Sequence, residues 1–74
     1  MTVEVNIKTQ LQIGRRLREI RERKNLSQEE VAKGVGISVT YYAGIERGEE
    51  NPTIAVIEHI CKALRIKSSD ILPF

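Results

Sequence analysis

The side chains best suited to catalysis or metal binding are few in this chain. Its one histidine and one cysteine, His59 and Cys61, are two residues apart, and residues at that spacing do not share a face of a helix. The sequence offers no second histidine or cysteine to complete a metal site, and no glycine-rich phosphate loop. The acidic pairs Glu29-Glu30 and Glu49-Glu50 are interpreted as helix caps or solvated carboxylates. We therefore expect no enzyme activity, no metal and no cofactor.

A different pattern is concentrated between Leu26 and Ser38. Ser27 is a favourable N-cap residue, and Glu30 lies three residues later, where it can complete a capping box. Gly36 supplies a turn position with positive φ, and Ser38 can cap the segment that follows. The pattern predicts two short helices joined by a tight glycine turn. This is the arrangement that presents a helix to the major groove of DNA.

Length and composition restrict the chain to one small globular domain. It has 74 residues, of which 41% are hydrophobic and 30% are charged, as in folded rather than disordered proteins. No apolar run approaches the ~18 residues of a membrane span, and the sequence does not open on a signal-peptide pattern. The single cysteine excludes an internal disulfide. We expect a cytoplasmic protein with no membrane partner and no small-molecule ligand.

The distribution of charge is more informative than its sum. The formal net charge of +2 does not by itself argue for nucleic acid. Basic side chains crowd into the first predicted helix, at Arg15, Arg16, Arg18, Arg21, Arg23 and Lys24. Contact with phosphate and a solvated helical face are both open interpretations for most of them.

Hydrophobic periodicity and capping residues predict five helices around an aliphatic core. Four of them span about 9–24, 28–34, 39–47 and 54–64, and Ser68 or Ser69 caps a last turn. The first helix should end at Asn25 in the left-handed conformation. The positions expected to face the core in the first and fourth helices are Ile13, Leu17, Ile20, Ile54, Ile57, Ile60, Cys61 and Leu64.

The segment 1–8 precedes this predicted helical domain, which occupies 9–74. Val3, Val5 and Ile7 alternate with polar residues, which is a strand-like period in a segment too short to stand alone. The segment is either a disordered arm or an edge that pairs with a partner chain.

Five short motifs follow one another along the chain, and the first two lie in the segment between Leu26 and Ser38. They are Leu26-Ser27-Gln28-Glu29-Glu30-Val31-Ala32, Gly36-Ile37-Ser38, Ile45-Glu46-Arg47-Gly48, Asn51-Pro52-Thr53-Ile54 and Cys61-Lys62-Ala63-Leu64. Their combined order and spacing resemble the lambda-repressor-like helix-turn-helix family, also called the Cro or XRE type. The resemblance covers residues 13–72 and implies an all-α, compact five-helix bundle with a central helix-turn-helix.

The resemblance implies that the third helix enters the major groove and contacts bases near its N-terminal end. The implied base contacts are Ser38, Val39, Thr40, Tyr41, Ala43 and Gly44. Thr40 carries a methyl group that can meet a thymine methyl, and Val39 can make only apolar contact. Because no Arg, Gln or Asn lies between Ser38 and Glu46, we expect thymine-methyl contacts and readout of DNA shape. The position of Tyr42 implies core packing.

Contacts to phosphate are implied on both sides of the third helix. In the family, the residue at the position of Gln28 contacts phosphate and supports the recognition helix, at a helix start whose free N–H groups attract an anion. Asn51 and Thr53 offer a second set of exposed N–H groups at the start of the fourth helix. The intervening pair Glu49-Glu50 would repel DNA, and Arg47 would offset that repulsion.

Two further features are implied by the resemblance. The family commonly joins an arginine near the end of the first helix to the glutamate that ends the recognition helix, and here these are Arg21 and Glu46. Relatives also commonly dimerise through the C-terminal end. The implied dimer interface is the apolar cluster Ile66, Ile71, Leu72 and Phe74, and the N-terminal arm is a second candidate.

The function expected is a sequence-specific regulator of transcription that binds double-stranded DNA at a palindromic operator as a homodimer. Thr40-Tyr41 followed by Gly44-Ile45-Glu46-Arg47 also resembles the controller proteins of restriction–modification systems, and small prophage-type repressors share nearly as much. The alternative is an antitoxin-type interaction protein whose helical domain mainly binds a partner protein. Against it, the sequence shows no long disordered extension to wrap a partner.

Overall fold

The computed structural model describes residues 7–74, which form four α-helices and one turn of 3-10 helix. The helices are α1 (Ile7–Arg23), α2 (Gln28–Val35), α3 (Val39–Glu46) and α4 (Ile54–Leu64), and the 3-10 turn spans Ser68–Asp70. The all-helical prediction is confirmed, but the expectation of five helices is wrong. The segment after α4 forms only a three-residue 3-10 turn, and the next residue, Ile71, lies in the core.

The capping residues predicted for α2, α3 and α4 all act as predicted. The Ser27 hydroxyl accepts from the Glu30 N–H at 3.0 Å, and the Glu30 carboxylate accepts from the Ser27 N–H at 2.9 Å, which completes the capping box. Ser38 and Thr53 accept in the same way from the third residue of α3 and α4. Each bond satisfies an N–H that the first turn leaves free.

The two ends of the chain differ from the predictions. α1 begins at Ile7 rather than Thr9, so the last two residues of the predicted arm are helical. Val3 and Val5 lie outside the described residues. At the other end, neither Ser68 nor Ser69 is the cap, because Lys67 precedes the 3-10 turn and its N–H donates to the Asp70 carboxylate at 2.9 Å.

The core contains aliphatic side chains from every helix and one tyrosine. Its fully buried members are Leu17, Tyr42, Ile45, Ile60, Leu64 and Ile71. Removing each of the aliphatic side chains from water stabilises the fold by about 1.5–3 kcal/mol. The core positions predicted for Tyr42 and Cys61 are confirmed, whereas Ile54 was wrongly assigned to the core, since it is 83% exposed on the first turn of α4.

Helix packing fixes the position of α3. α1 packs on α3, and α2 packs on both α3 and α4. α1 approaches α3 closely at Gly14, where an added β-carbon would clash with the backbone carbonyls of Ile45 and Glu46. Only glycine allows this contact, so the end of α3 lies directly on the middle of α1.

Within residues 7–74, none of the helices is both long enough and apolar enough to cross a membrane.

Candidate nucleic-acid interface

The first turn of α3 is exposed on a helix whose other side is buried. Ser38, Val39 and Thr40 are exposed, whereas Tyr42 and Ile45 on the opposite side lie in the core. Tyr41 and Ala43 are half-buried. The helix therefore presents small side chains at its N-terminal end. This is the end through which a recognition helix contacts base edges.

One of the predicted base contacts does not fit this surface. Gly44 is buried, and an added β-carbon there would lie 2.8 Å from Cγ of Glu50. The Glu50 side chain therefore covers Gly44 and leaves it no surface for a base in this conformation. The sequence could not show this, because the path of the loop after α3 decides it.

The turn between α2 and α3 fixes the angle between them. Gly36 has φ 88° and ψ 29°, in the left-handed region that glycine enters without strain. The N–H groups of Gly36 and Ile37 both donate to the Ala32 carbonyl, at 2.9 and 3.1 Å. These two bonds satisfy a carbonyl in the last turn of α2. The chain then turns so that Ser38 caps α3.

An ion pair anchors the far end of α3. Nε of Arg21 donates to Oε2 of Glu46 at 2.7 Å, and a second guanidinium nitrogen donates to Oε1 at 3.1 Å. The side chains are 12% and 2% exposed, so the pair is largely removed from water. Arg21 also donates to the Leu26 carbonyl at 2.8 Å. The structure thus joins the two residues that the resemblance implied would pair, although they lie on different helices.

Gln28 extends this network to α2. Its Nε2 donates to Oε1 of Glu46 at 3.0 Å, so one carboxylate accepts bonds from α1 and α2 together. The family resemblance implied a supporting role for Gln28, and the structure adds that Glu46 is its partner. Two residues 18 positions apart in the sequence have no periodic spacing that would predict a contact between them. The amide of Gln28 carries a second N–H group besides the one bonded to Glu46.

The network controls the ionisation of Glu46. Burial alone would raise the pKa of this carboxyl, but the hydrogen bonds from Arg21 and Gln28 hold the pKa below its ordinary value. The same pair raises the pKa of Arg21. Both groups are therefore charged at neutral pH.

The other candidate phosphate contacts lie in and after the loop that follows α3. Arg47, Asn51 and Thr53 are all exposed, and Thr53 is the N-cap of α4. Arg47 is paired with Glu49, whose Oε2 lies 3.1 Å from Nε of Arg47. This pair was not predicted from the sequence, and the left-handed Gly48 (φ 76°) lies between its two residues.

Most basic side chains of α1 are engaged within the molecule. Arg18 pairs with Glu22 at 3.1 Å and Arg23 with Glu19 at 3.9 Å, each one helical turn apart. Arg16 donates to the Leu72 carbonyl at 3.2 Å. These contacts favour the interpretation that the cluster is mainly a solvated, internally paired face of α1.

An apolar groove of about 560 Å³ lies between the start of α1, α4 and the C-terminal segment. Its lining includes Ile66, Leu72 and Phe74 from the predicted dimer interface, together with Ile54. Phe74 is 88% exposed. Ile71 was wrongly assigned to that interface, because it is fully buried in the core of the single chain.

The side chains considered for metal binding do not form a cluster in the part of the chain that the structure describes. No group of three His, Cys, Asp or Glu side chains within residues 7–74 is placed to hold a metal ion. His59 is exposed, whereas Cys61 is buried, and burial raises the pKa of its thiol. A thiol in that state is a weak nucleophile.

Comparison with known proteins agrees with this geometry. A family model described as helix-turn-helix matches residues 17–71. The chain is 40% identical over 65 residues to control protein C.BamHI of Bacillus amyloliquefaciens, covering 86% of this chain and 80% of that protein. It is 40% identical over 60 residues to the uncharacterised HTH-type transcriptional regulator YazB of Bacillus subtilis, covering 81% and 87%.

A solved structure shows the same fold. The restriction-modification controller protein C.AhdI of Aeromonas hydrophila superposes with a TM-score of 0.83 at 36% identity, covering 85% of this chain and 96% of that one. The family that the motifs resembled is thus confirmed by sequence and by structure. The chain belongs to the helix-turn-helix family of DNA-binding transcriptional regulators.

Proposed function

We propose that this protein is a sequence-specific regulator that binds a palindromic operator as a homodimer, with α3 in the major groove. The observation that carries the proposal is the exposed first turn of α3 on a helix whose other end is fixed by the Arg21–Glu46 ion pair. A rigid helix with an exposed N-terminal end is what base readout needs, because its side chains must reach base edges without reordering.

The chemistry of that turn points to small apolar and hydroxyl contacts. Val39 and the methyl of Thr40 suit the thymine methyl, and the hydroxyls of Thr40 and Ser38 can bond to bases or phosphates. Ser38 already accepts the N–H of Tyr41 at 3.1 Å, and its hydroxyl hydrogen remains available to donate. Since no long polar side chain lies on this turn, DNA shape and deformability should supply a large share of the specificity.

Phosphate contacts would position this helix. Gln28 begins α2, which precedes α3 in the chain, and Arg47, Asn51 and Thr53 follow α3, with Thr53 at the start of α4. The helix N-termini add free N–H groups and the positive end of the helix dipole. Such contacts fix the register on the duplex and carry no sequence information of their own.

Dimerisation would join two such surfaces through the apolar groove. Ile54 and Phe74 are 83% and 88% exposed beside it, and one chain leaves both side chains in water. A second copy covering the groove would bury them. A dimer also lets two copies of α3 reach successive major grooves, ~34–36 Å apart, in the reducing cytoplasm where the operator would lie.

Selection of binding duplexes from a random DNA pool at about 0.15 M salt tests the proposal. The expected result is an inverted repeat whose half-sites lie about one helical turn apart. A pool that stays random would contradict it and would favour the alternative of a protein that mainly binds another protein.

A further inference from the structure

We propose that Glu49 limits the DNA affinity of this protein by holding the Arg47 guanidinium, so that a DNA phosphate must displace the carboxylate before Arg47 can contact it. The inference rests on the proposed function. It concerns the control of affinity and not the existence of DNA binding.

The geometry of the loop between α3 and α4 creates this competition. Two nitrogens of Arg47, Nε and a terminal guanidinium nitrogen, lie 3.1 Å from the same Oε2 of Glu49. The loop is held in shape by backbone bonds, from the Gly48 N–H to the Ile45 carbonyl at 3.1 Å and from the Glu49 N–H to the Gly44 carbonyl at 2.9 Å. The carboxylate is thus presented to Arg47 by a fixed backbone.

The pair has little to do with stability. The side chains of Arg47 and Glu49 are 55% and 62% exposed, and ion pairs that are this well solvated contribute little to folding. An exposed guanidinium can exchange one anion for another without disturbing the core. Its partner therefore matters chiefly for what else Arg47 can bind.

Arg47 is also the one cation among the candidate phosphate contacts, since Gln28, Asn51 and Thr53 are neutral. Phosphate neutralisation by cations supplies most of the sequence-independent affinity for DNA. A protein that engages this cation internally weakens its binding to every sequence. It then depends more on the contacts that α3 makes at the correct site.

Glu50 provides a matched comparison within the same loop. Its side chain lies over Gly44, and no ion pair of Glu50 is found within residues 7–74. Glu50→Gln changes the net charge by the same amount as Glu49→Gln, one residue away, but leaves Arg47 held. Glu22→Gln is a second control, because it breaks a similar exposed pair on α1.

The test measures dissociation constants of each variant for the selected duplex and for a scrambled duplex across a salt series. Glu49→Gln should bind the scrambled duplex about fivefold more tightly, and its log–log salt dependence should steepen by about one per protomer, as for one added phosphate contact. Glu22→Gln should stay within about twofold of wild type, and Glu50→Gln should gain clearly less affinity than Glu49→Gln, because it leaves the Arg47–Glu49 pair in place. Combined with Arg47→Gln, Glu49→Gln should give no gain over Arg47→Gln alone.

Three results would overturn the inference: unchanged binding by Glu49→Gln, an equal gain from Glu50→Gln, or a gain that persists without Arg47. The last two would show general charge repulsion in place of competition for Arg47. If wild type bound no duplex at all, the proposed function would fail as well, and this outcome is distinct from the other three.

Discussion

Gln28, the first residue of α2, donates an Nε2 hydrogen bond across 3.0 Å to Glu46, the last residue of α3. The bond spans the helix-turn-helix from its beginning to its end. Because Arg21 of α1 binds the same carboxylate, Glu46 fixes α3 against both preceding helices. The exposed turn that we propose reads DNA is therefore positioned by a buried network at the opposite end of its own helix.

Glu46→Gln should lower the free energy of unfolding by about 3 kcal/mol, because it leaves the Arg21 guanidinium largely buried without its charged partner. Urea denaturation measures the loss. Glu22→Gln is the matched control and should cost no more than about 0.5 kcal/mol, since its pair with Arg18 is exposed. Equal stability of Glu46→Gln and wild type would show that the pair does not anchor α3.

Stability should fall in acid through the same carboxyl. The pKa of Glu46 is below its ordinary value of 4.5 in the folded chain. A group whose pKa is lower in the folded state stabilises it above the unfolded pKa, and the contribution is lost as the pH falls through the folded pKa. Wild type should therefore lose stability as the pH falls below about 4.5. Denaturation at several pH values should show that the free energy of unfolding decreases less in acid for Glu46→Gln than for wild type. If the two proteins lost stability in parallel, Glu46 would not be the carboxyl responsible.

The close approach of α1 and α3 can be tested with two glycine substitutions. Gly14→Ala should destabilise by about 3 kcal/mol, because its β-carbon would meet the rigid backbone at the end of α3. Gly34→Ala is the control within α2, where the new β-carbon would meet only Cβ of Ala63 at 3.6 Å. It should stabilise by about 0.5–1 kcal/mol through helix propensity. Thermal unfolding measures the stability of both variants. If Gly14→Ala were as stable as wild type, the close packing of α1 on α3 would be contradicted.

The sequence predicted those features that depend on local chemistry. The caps at Ser27, Ser38 and Thr53 and the left-handed Asn25 and Gly36 were all predicted, because each is decided by a residue and its next few neighbours. The family resemblance added the pairing of Arg21 with Glu46, which no spacing rule gives.

The errors arose where tertiary packing decides. The periodicity of α4 assigned Ile54 to the core, although this side chain is 83% exposed on the first turn of the helix. Ile71 was assigned to a dimer interface as part of the C-terminal apolar cluster. It directly follows the 3-10 turn and is fully buried in the core of the single chain. The position of the Glu50 side chain over Gly44 likewise depends on the path of the loop between α3 and α4.

Dimerisation through the groove predicts that Ile54→Asp weakens self-association about tenfold or more, because dimer formation would bury an unpaired charge. The change should leave the monomer folded, since Ile54 is exposed and aspartate is favourable in the first turn of a helix. Ala55→Asp is the control, because Ala55 is an exposed neighbour in the same first turn of α4 that does not line the groove. Sedimentation equilibrium measures both, and an undiminished Ile54→Asp dimer would exclude this face.

The most direct test of α3 as the reading element is the binding of Thr40→Ala to the selected duplex and to its scrambled counterpart. We expect about tenfold weaker binding to the selected duplex, the effect of ~1.4 kcal/mol at one base contact. Binding to the scrambled duplex should be unchanged, and His59→Ala, an exposed change on α4, should match wild type on both. If Thr40→Ala bound both duplexes as wild type does, the first turn of α3 would not be the surface that reads the bases.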